Sequence, residues 1–477
     1  MPESTSISEL AKLLSLQQQA FTQQPLPSAV ERRVNLQKLR SLLLEEKSAI
    51  AAAISADFSH RSVDETYLAE VLPSLEAIDF ACKHLKRWMK PSRRSVSLAF
   101  QPAAAKVVYQ PLGVVGVLVP WNYPLFLSIG PLVGALAAGN RVMIKMSEHT
   151  PRTAQLLKAL LAKVFAEDLV ALVQGETDVA IAFSQLPFDH LLFTGSTQVG
   201  RQVMQAAAEN LTPVTLELGG KSPTIISEEA PLEETAQRIA FGKTVNAGQT
   251  CVAPDYLLVH ESRLEELVQA ISQAVKKFYP SLAGNSDYTA IINQRQLERL
   301  ESYIADAKNL GAEVIQLPGS RVAESEMGEK DQRRLPLTLL LNVTDEMQVM
   351  QEEIFGPILP IITYKTFDEA LDYIRQRPKP LAVYYFGYNP VEQQQVLQTL
   401  HAGGVCLNDT LLQVAQEDLP FGGVGASGMG HYHGYEGFLT FSHAKAVFSK
   451  PRFNAAKFIY PPYGSWLQKL ILRFFLR

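Results

Sequence analysis

The alternation of short apolar runs with helix-like stretches, which begins at Leu112, constrains the fold of this chain most strongly. Helical periodicity separates five mostly apolar runs, which cover residues 114–119, 141–145, 169–173, 191–194 and 214–218. Such an alternation is typical of a doubly wound parallel sheet. We therefore predict an α/β fold in which ligands bind at the carboxyl ends of the strands.

Glycine and proline mark the boundaries of two predicted helices. Gly139 ends the helix predicted for residues 125–138, because glycine readily adopts the left-handed backbone of a C-cap. Thr150 and Pro151 are predicted as the N-cap and first residue of the next helix.

The composition excludes several classes of protein. The chain has 477 residues and a net charge of −4, whereas nucleic-acid-binding domains are usually strongly basic. No apolar segment of signal-peptide type follows the polar first residues, and the three cysteines are far apart. These features favour a cytoplasmic protein without a disulfide framework.

The C-terminal segment 466–477 is apolar but carries three cations, and it is shorter than the ~20 residues that a membrane-spanning helix needs. It predicts a tail that packs on its own domain or on a partner subunit. Peripheral contact with a membrane surface remains the alternative.

Two motifs carry groups for covalent chemistry. Cys251 ends the run Asn-Ala-Gly-Gln-Thr-Cys. Glu217 lies in the predicted strand 214–218, which two glycines follow directly. A cysteine thiolate is a nucleophile, and a carboxylate can activate water. The pair therefore predicts a two-stage reaction through a covalent intermediate.

A turn at residues 193–200 lies between a predicted strand and a predicted helix. Its backbone N–H groups and the helix dipole suit a pyrophosphate, with Gly195 and Ser196 in the turn. A plain structural turn is the alternative interpretation. The turn is no Walker A loop, because Arg201 and Gln202 stand where Lys and Ser or Thr are required.

A second glycine pattern, Gly423, Gly425 and Gly428, matches the dinucleotide-binding spacing but lacks the strand and helix that this motif requires. We expect a loop that allows close backbone approach and lines a substrate entrance. No metal site is predicted, because His431, His433 and His443 lack a zinc-site spacing.

Taken together, these motifs resemble the NAD(P)-dependent aldehyde dehydrogenase superfamily over nearly the whole chain, and the short N-terminal region resembles its class 3 branch. Within that branch, segments 186–193 and 408–412 are most similar to bacterial coniferyl aldehyde dehydrogenases. The resemblance implies a homodimer whose chain has three parts. A Rossmann-type cofactor domain covers residues 1–96 and 111–216, and an α/β catalytic domain covers residues 217–428. A small β oligomerisation arm with the C-terminal segment covers residues 97–110 and 429–477.

The resemblance also implies roles for individual residues. Cys251 matches the nucleophile, Glu217 the general base and Asn122 the donor to the substrate oxygen. Residues that match cofactor contacts are Trp121, Lys145, Glu148, Gly195, Ser196, Gly200, Glu353 and Phe355. Lys145 and Glu148 match the adenine-ribose contacts, although Met146 replaces the more usual proline between them.

The implied reaction is oxidation of an aldehyde to the acid by NAD or NADP, through a thiohemiacetal and a thioester. Glu148 disfavours a 2′-phosphate electrostatically, but a side-chain rotation could admit it, so both cofactors stay open. The aldehyde is aromatic, such as coniferyl aldehyde, or a medium or long aliphatic one. An acyl hydrolase, a CoA-acylating enzyme and a non-catalytic structural protein are the alternatives; Glu217 favours water over CoA.

Overall fold

The structure is a computed structural model that describes residues 5–317, 333–452, 457 and 460–476. The strands, in chain order, are β1 (Ser92–Arg94), β2 (Ala104–Pro111), β3 (Val114–Leu118), β4 (Arg141–Lys145), β5 (Val170–Val173), β6 (His190–Gly195), β7 (Val214–Leu218), β8 (Pro223–Ile226), β9 (Tyr256–His260), β10 (Glu313–Leu317), β11 (Leu337–Leu341), β12 (Ile358–Tyr364), β13 (Ala382–Phe386), β14 (Gly404–Leu407), β15 (Gly428–Met429) and β16 (Ser442–Ser449).

The α-helices, in the same order, are α1 (Ile7–Gln23), α2 (Ala29–Asp57), α3 (Val63–Thr66), α4 (Leu72–Trp88), α5 (Phe126–Ala138), α6 (Pro151–Val164), α7 (Thr177–Ser184), α8 (Thr197–Ala208), α9 (Leu232–Thr244), α10 (Leu264–Phe278), α11 (Gln294–Asn309), α12 (Gln348–Gln351), α13 (Phe367–Arg375), α14 (Pro390–Thr399), α15 (Gly434–Thr440) and α16 (Trp466–Phe475). A π-helical segment, Tyr67–Val71, joins α3 to α4, and shorter 3-10 turns cover Leu98–Phe100, Val245–Gly248, Glu261–Arg263 and Leu412–Ala415.

The first large sheet has the strand order β15-β7-β6-β3-β4-β5 and confirms the predicted doubly wound arrangement. All pairings are parallel except that of β15 with β7. Every residue of β3, β4 and β5 is buried, as expected for strands covered by helices on both faces. Successive strands are added outward in opposite directions from the β3–β6 pair, whose carboxyl ends therefore form a crevice of the type in which such sheets bind ligands.

The second large sheet has the order β10-β11-β12-β9-β8-β13-β14 and is parallel except for the pair β10 and β11. The chain passes from the first sheet to the second between β7 and β8, through residues 219–222. Carboxyl-end loops of the first sheet therefore meet amino-end loops of the second, among them the segments before β9 and β12.

A third, smaller sheet joins β1, β2 and β16 in antiparallel order. Its first strand begins at Ser92, and its last belongs to the C-terminal part of the chain. Beyond it, α16 exposes Trp466 and Phe474 to solvent. Arg477, the last residue of the predicted tail, lies outside the described residues.

Both predicted helix boundaries are confirmed, but they differ in how the helix end is capped. Gly139 ends α5 with a left-handed backbone, φ 92°. Thr150, in contrast, makes no side-chain cap on α6. Asp57 at the end of α2 provides this cap: its carboxylate accepts from the N–H groups of Arg152 and Thr153 at 3.1 and 2.9 Å. The predicted N-cap position of Thr150 and first-turn position of Pro151 are therefore confirmed, while the acceptor for the free N–H groups comes from a helix distant in sequence.

The glycine-rich loop makes the close backbone approach that was expected of it, and Phe421 at its start lines the second of the cavities described below. Gly425 and Gly428 form a tight turn whose end, β15, pairs with β7, and Gly428 lies opposite Glu217. A Cβ on Gly428 would come within 2.0 Å of the Leu216 carbonyl oxygen, so only glycine fits. The loop supports the strand that carries Glu217, and its three motif glycines line neither of the cavities described below.

Within the described part of the chain, no helix combines the length and apolar character that crossing a bilayer requires.

Candidate active site

Two cavities meet at Cys251 and Glu217. One has a volume of about 430 Å³ and opens from the carboxyl ends of β3 and β6. The other, of about 530 Å³, approaches from the side of α4 and α5. Both are lined by Thr194, Glu217, Leu218 and Cys251. Cys251 therefore borders both cavities.

A strained loop holds Cys251 between α9 and β9. Asn246 and Ala247 both have φ 51°, a left-handed conformation that is uncommon without glycine. Gln249 stabilises this loop from inside: its amide donates to the carbonyl oxygens of Asn246 and Ala290 at 2.9 and 3.1 Å, and accepts from the Ile292 N–H at 2.9 Å. The fixed loop sets the position of the thiol.

The Cys251 thiol is protonated at neutral pH in the cofactor-free protein. Burial raises its pKa to about 12, and the negative charges of Glu353 and Glu217 act in the same direction. Backbone N–H groups of Cys251 and Val252 oppose this shift, with a smaller effect.

Glu217 projects from β7 and is 2% exposed. Among the described residues, neither of its carboxylate oxygens has a hydrogen-bond partner. Burial therefore raises the pKa of Glu217 well above its ordinary value, because the charged form lacks solvation. Once ionised, such a carboxylate is a stronger base than one in water.

Asn122 lies on the loop after β3 and is 3% exposed. Its Nδ2 donates to the carbonyl oxygen of Gln249 at 3.2 Å. An amide nitrogen carries two hydrogens, so the second can be donated to a ligand oxygen. The backbone oxygen of Asn122 accepts from Arg61 and Asn246 at 3.1 and 3.0 Å, which fixes this segment of the loop.

Phe355 and Trp121 form one wall of the first cavity. Their rings make an edge-to-face contact, with centroids 5.2 Å apart. The residue before Phe355, Ile354, is held by Asp255, whose carboxylate accepts from the Ile354 N–H at 3.0 Å, and by Arg299, which donates to the Ile354 oxygen at 2.8 Å. This loop is thereby pinned against the segment that leads into β9.

Lys221 connects this loop to the crossing between the two sheets. Its amine pairs with the Asp255 carboxylate and donates to the Glu352 oxygen at 2.9 Å. The segment 352–355 is therefore held by Lys221, at the crossing between the sheets, and by Asp255, directly before β9.

Glu353 reaches the same cavity across Gly219. A Cβ on Gly219 would lie 1.9 Å from a carboxylate oxygen of Glu353, so the glycine makes room for it. Burial raises the pKa of Glu353 to about 8. Its Oε1 is buried and has no partner among the described residues, so it is available to a hydroxyl group of a ligand.

The turn before α8 supplies the polar floor of the first cavity. Gly195 and Ser196 line it, and Ser196 caps α8 by accepting from the Val199 N–H at 3.3 Å. Gly200 lies outside the cavity lining and allows close packing, since a Cβ there would be 2.5 Å from Leu218.

Lys145 and Glu148 also lie outside the lining of the first cavity. The Lys145 amine, 3.9 Å from Glu148, donates to the Met146 oxygen at 2.8 Å. Burial lowers the pKa of this amine, and Glu148 acts against that shift. The pair is thus preformed beside β4, close to the strands that open into the cavity.

The structure brings together most of the residues singled out in the sequence. Those that line the first cavity are Trp121, Asn122, Gly195, Ser196, Glu217, Cys251, Glu353 and Phe355. The groups that hold the loops, Arg61, Lys221, Asp255 and Arg299, were missed. Their common feature is a charge with limited exposure, and burial of a single charged residue leaves no periodic signal in the sequence.

The second cavity is walled mainly by apolar side chains from distant parts of the chain. Its apolar lining residues include Leu68, Leu72, Tyr123, Phe126, Phe241, Val245, Leu411, Val414, Phe421 and Tyr432. Exposed carboxylates of Asp64, Glu76 and Asp287 lie at its rim, and the described lining residues include no Lys, Arg or His. No local sequence pattern identifies these walls, because they come from segments that only the fold brings together.

Comparison with known proteins relates this geometry to a family. The model of the aldehyde dehydrogenase family matches residues 5–447. A probable coniferyl aldehyde dehydrogenase from Pseudomonas aeruginosa is 64% identical over 99% of this chain and 97% of its own length. A mouse protein, aldehyde dehydrogenase family 3 member A2, is 42% identical over 92% of this chain and 90% of its own length. These matches confirm both the superfamily and the class 3 resemblance.

Solved structures confirm the fold. Staphylococcus aureus AldH in a substrate-bound state superposes with a TM-score of 0.90 at 38% identity, covering 98% of this chain and 99% of that one. A Mycobacterium tuberculosis aldehyde dehydrogenase complexed with NAD+ superposes with a TM-score of 0.85 at 28% identity, covering 95% and 92%. The chain therefore belongs to the aldehyde dehydrogenase family, whose members oxidise aldehydes to acids with NAD or NADP.

Proposed function

We propose that this enzyme oxidises aromatic aldehydes of the coniferyl type, or medium to long aliphatic aldehydes, with Cys251 as nucleophile, Glu217 as general base and Asn122 as oxyanion donor. The observation that carries this proposal is the meeting of two cavities at Cys251 and Glu217. The cofactor enters by the polar cavity and the aldehyde by the apolar one.

The residues of the polar cavity fit a nicotinamide dinucleotide. The α8 N-terminus with Gly195 and Ser196 suits the pyrophosphate, and the unpartnered Glu353 oxygen suits a ribose hydroxyl. Phe355 and Trp121 suit the nicotinamide ring. When bound, NAD(P)+ supplies the acceptor for the hydride.

Three further residues are assigned to the cofactor by the family resemblance. Lys145 and Glu148, which lie together beside β4, are assigned to the adenine ribose. Gly200 keeps α8 close to β7 and so supports the pyrophosphate turn.

In the first stage, the Cys251 thiol gives up its proton to water, the sulfur attacks the carbonyl carbon, and the π electrons move to oxygen. The Asn122 amide and the Cys251 backbone N–H donate to this oxyanion; one such donor is typically worth roughly 3 to 4 kcal/mol. The C=O bond re-forms as the C–H electron pair leaves as hydride, and a thioester remains on Cys251.

In the second stage, Glu217 takes a proton from water, and the resulting hydroxide attacks the thioester carbon. The C–S bond breaks, the thiolate leaves and the carboxylic acid is released. A buried base next to the thioester favours water over CoA as acceptor, which disfavours the CoA-acylating alternative.

The apolar second cavity supports an extended, uncharged substrate. Its walls offer aromatic and aliphatic contacts along the path to Cys251, which stabilise an aryl propenal or an alkyl chain. The name of the 64% identical Pseudomonas aeruginosa relative points to coniferyl aldehyde. The carboxylates at the rim repel an anionic substrate.

The remaining organisation follows the family resemblance. We propose a cofactor domain of residues 1–96 and 111–216, a catalytic domain of residues 217–428, and an oligomerisation arm formed by 97–110 and 429–477. The arm sheet exposes Phe448, 55% accessible, next to Phe100, which supports a homodimer formed through this sheet.

The enzyme is further proposed to be cytoplasmic, with peripheral membrane contact through α16. Trp466, Leu470 and Phe474 are more than half exposed on this helix, and Lys469 and Arg473 lie on it beside them. Such a mixture suits the surface of an anionic bilayer.

We expect Cys251→Ala to abolish NAD(P)H formation and Glu217→Gln to separate the two stages. Without the base, the first turnover should still release about one NAD(P)H per site, while steady turnover falls on the order of 10²-fold or more. Stopped-flow absorbance without CoA measures both values. Multiple rapid turnovers by the Glu217→Gln enzyme would contradict the assignment of the base, and thioester cleavage without NAD(P)H formation would support the hydrolase.

Alkylation of Cys251 in the cofactor-free enzyme should accelerate steadily from pH 7 to pH 10. A thiol whose pKa is raised to about 12 has little thiolate at neutral pH, and its thiolate fraction grows about tenfold per pH unit below that pKa. Glu353→Gln should increase the rate at pH 9, because removing the negative charge lowers the thiol pKa. Peptide mass spectrometry distinguishes alkylation at Cys251 from alkylation at Cys82 and Cys406. A rate that levels off below pH 8 would show that burial does not control this thiol.

Neutral aldehydes should be oxidised more efficiently than anionic ones. We expect kcat/KM for 4-methylbenzaldehyde to exceed that for 4-formylbenzoate by about tenfold or more at low salt, and the ratio to shrink with added salt. Replacing the rim carboxylates by amides, with Asp64→Asn, Glu76→Gln and Asp287→Asn, should shrink it as well. The neutral substrate serves as internal control. An unchanged ratio in the triple variant would rule out the rim as the source of selectivity.

Deleting residues 460–477 tests the arm and the tail separately. The shortened enzyme should stay dimeric by sedimentation, because β2 and β16 remain, but should no longer float with vesicles that contain anionic lipid. Full-length enzyme is the control. A monomeric full-length enzyme would contradict the dimer, and equal flotation of both proteins would remove α16 as the membrane contact.

A further inference from the structure

Arg61 is a buried charged residue that has no role in the proposed mechanism. Arg61 is 1% exposed and lies before α3. Its Nη1 donates to Glu70 at 2.8 Å and its Nε donates to Glu65 at 3.0 Å. A guanidinium is costly to bury and remains charged, so its partners hold it in one orientation.

Arg61 is bonded to the backbone of Asn122, the proposed oxyanion donor. The same Nη1 donates to the carbonyl oxygen of Asn122 at 3.1 Å. This oxygen also accepts from Nδ2 of Asn246 at 3.0 Å, and the Asn246 N–H donates to Glu65 at 3.1 Å. Arg61 and Glu65 thus tie the Asn122 loop to the strained loop that carries Cys251.

The other partner of Arg61 anchors the far end of the Asn122 loop. The second carboxylate oxygen of Glu70 accepts from the N–H groups of Leu125 and Phe126 at 2.7 and 3.1 Å, at the start of α5. A carboxylate at a helix N-terminus is favourably placed for both hydrogen bonds and the helix dipole. The loop is therefore fixed on both sides of Asn122.

A third contact reaches the segment next to the nucleophile. The Arg61 guanidinium lies over the ring of Tyr123, 4.8 Å from its centroid, as in a cation–π contact. The Tyr123 hydroxyl is 2.7 Å from the hydroxyl of Thr250, the neighbour of Cys251. The contacts of the guanidinium thus converge on the two loops that carry reacting groups and on the helix that follows one of them.

We propose that Arg61, oriented by Glu65 and Glu70, is a positioning residue that aims the Asn122 amide at the oxygen of the aldehyde bound to Cys251. This proposal rests on the proposed role of Asn122. Lysine cannot replace arginine here, because one ammonium group lacks the planar fork that meets Glu65, Glu70 and the Asn122 oxygen together. Misdirection of an oxyanion donor slows the step in which the negative charge develops.

The test compares Arg61→Lys with Arg40→Lys in the full-length enzyme. Arg40 pairs with Asp79 at 2.7 Å on the surface and is the matched control for an arginine–carboxylate pair. We expect Arg61→Lys to slow single-turnover hydride transfer by about 10- to 100-fold, with a primary isotope effect for an aldehyde deuterated at its carbonyl carbon. The KM for NAD(P)+ and the alkylation rate of Cys251 should change less than about threefold, whereas loss of folded sites would change all readouts together.

A double variant shows whether Arg61 acts through Asn122. If it does, Arg61→Lys should add little to the slowing caused by Asn122→Ala, since the donor is already absent. Fully multiplicative effects, or an Arg61→Lys enzyme as fast per titrated site as Arg40→Lys, would overturn the proposal. If Asn122→Ala leaves hydride transfer unchanged, the proposed oxyanion donor itself fails, which is a distinguishable result.

Glu70→Gln provides a second variant if Arg61→Lys does not fold. Its amide oxygen still accepts from Leu125 and Phe126, but the charge that orients Arg61 is gone. We expect hydride transfer to slow about three- to tenfold, with the same pattern of unchanged cofactor KM and thiol alkylation. Unaltered hydride transfer in this variant would count against the proposal as well.

Discussion

The active site depends on the close approach of the Glu353 carboxylate to the backbone at Gly219, where the chain crosses from one sheet to the other. Gly219 follows β7 only two residues after Glu217, and its missing Cβ admits the Glu353 carboxylate. Any side chain at residue 219 would displace Glu353 and with it the loop that presents Phe355. Glu217 and the cavity wall formed by Phe355 are therefore both positioned by a single crossing, and Lys221 and Asp255 hold this arrangement immediately beyond it.

Low polarity at this junction has an electrostatic consequence. Burial raises the pKa of Cys251, Glu353 and Glu217 alike, so each of the three groups is harder to ionise here than in water. A positive charge beside the sulfur would stabilise the thiolate most strongly where water is excluded, and under the proposed function the bound nicotinamide would supply that charge. In the same proposed mechanism, burial makes ionised Glu217 a strong proton acceptor in the second stage.

The sequence predicted those parts of the fold that depend on local pattern. The strands 141–145 and 214–218 have the predicted bounds because buried parallel strands are encoded as apolar runs, and Gly139 ends α5 because its conformation is local. The start of α6 at Thr150 and Pro151 was predicted for the same reason, but its capping acceptor was not, because it comes from Asp57, far away in sequence. The close backbone approach of the glycine-rich loop was predicted, but its partner β7 was not, because no spacing rule reveals that contact. For the site, residue types indicated a thiol and a base, but individual roles came from resemblance alone.

Sequence patterns do not show how a loop or its side chains are oriented. In our proposal, the Arg61 network fixes the orientation of the Asn122 loop. An apolar core of equal volume would pack the same helices, and replacing buried ion pairs by apolar groups often preserves stability. Apolar contacts, however, tolerate small rotations of a loop, whereas three hydrogen bonds from one planar group do not. An amide that must meet an oxygen atom at hydrogen-bond distance needs the stricter constraint. We therefore interpret the buried charge of Arg61 as the group that orients the Asn122 amide. The desolvation cost of this charge is offset by the accurate placement of that amide.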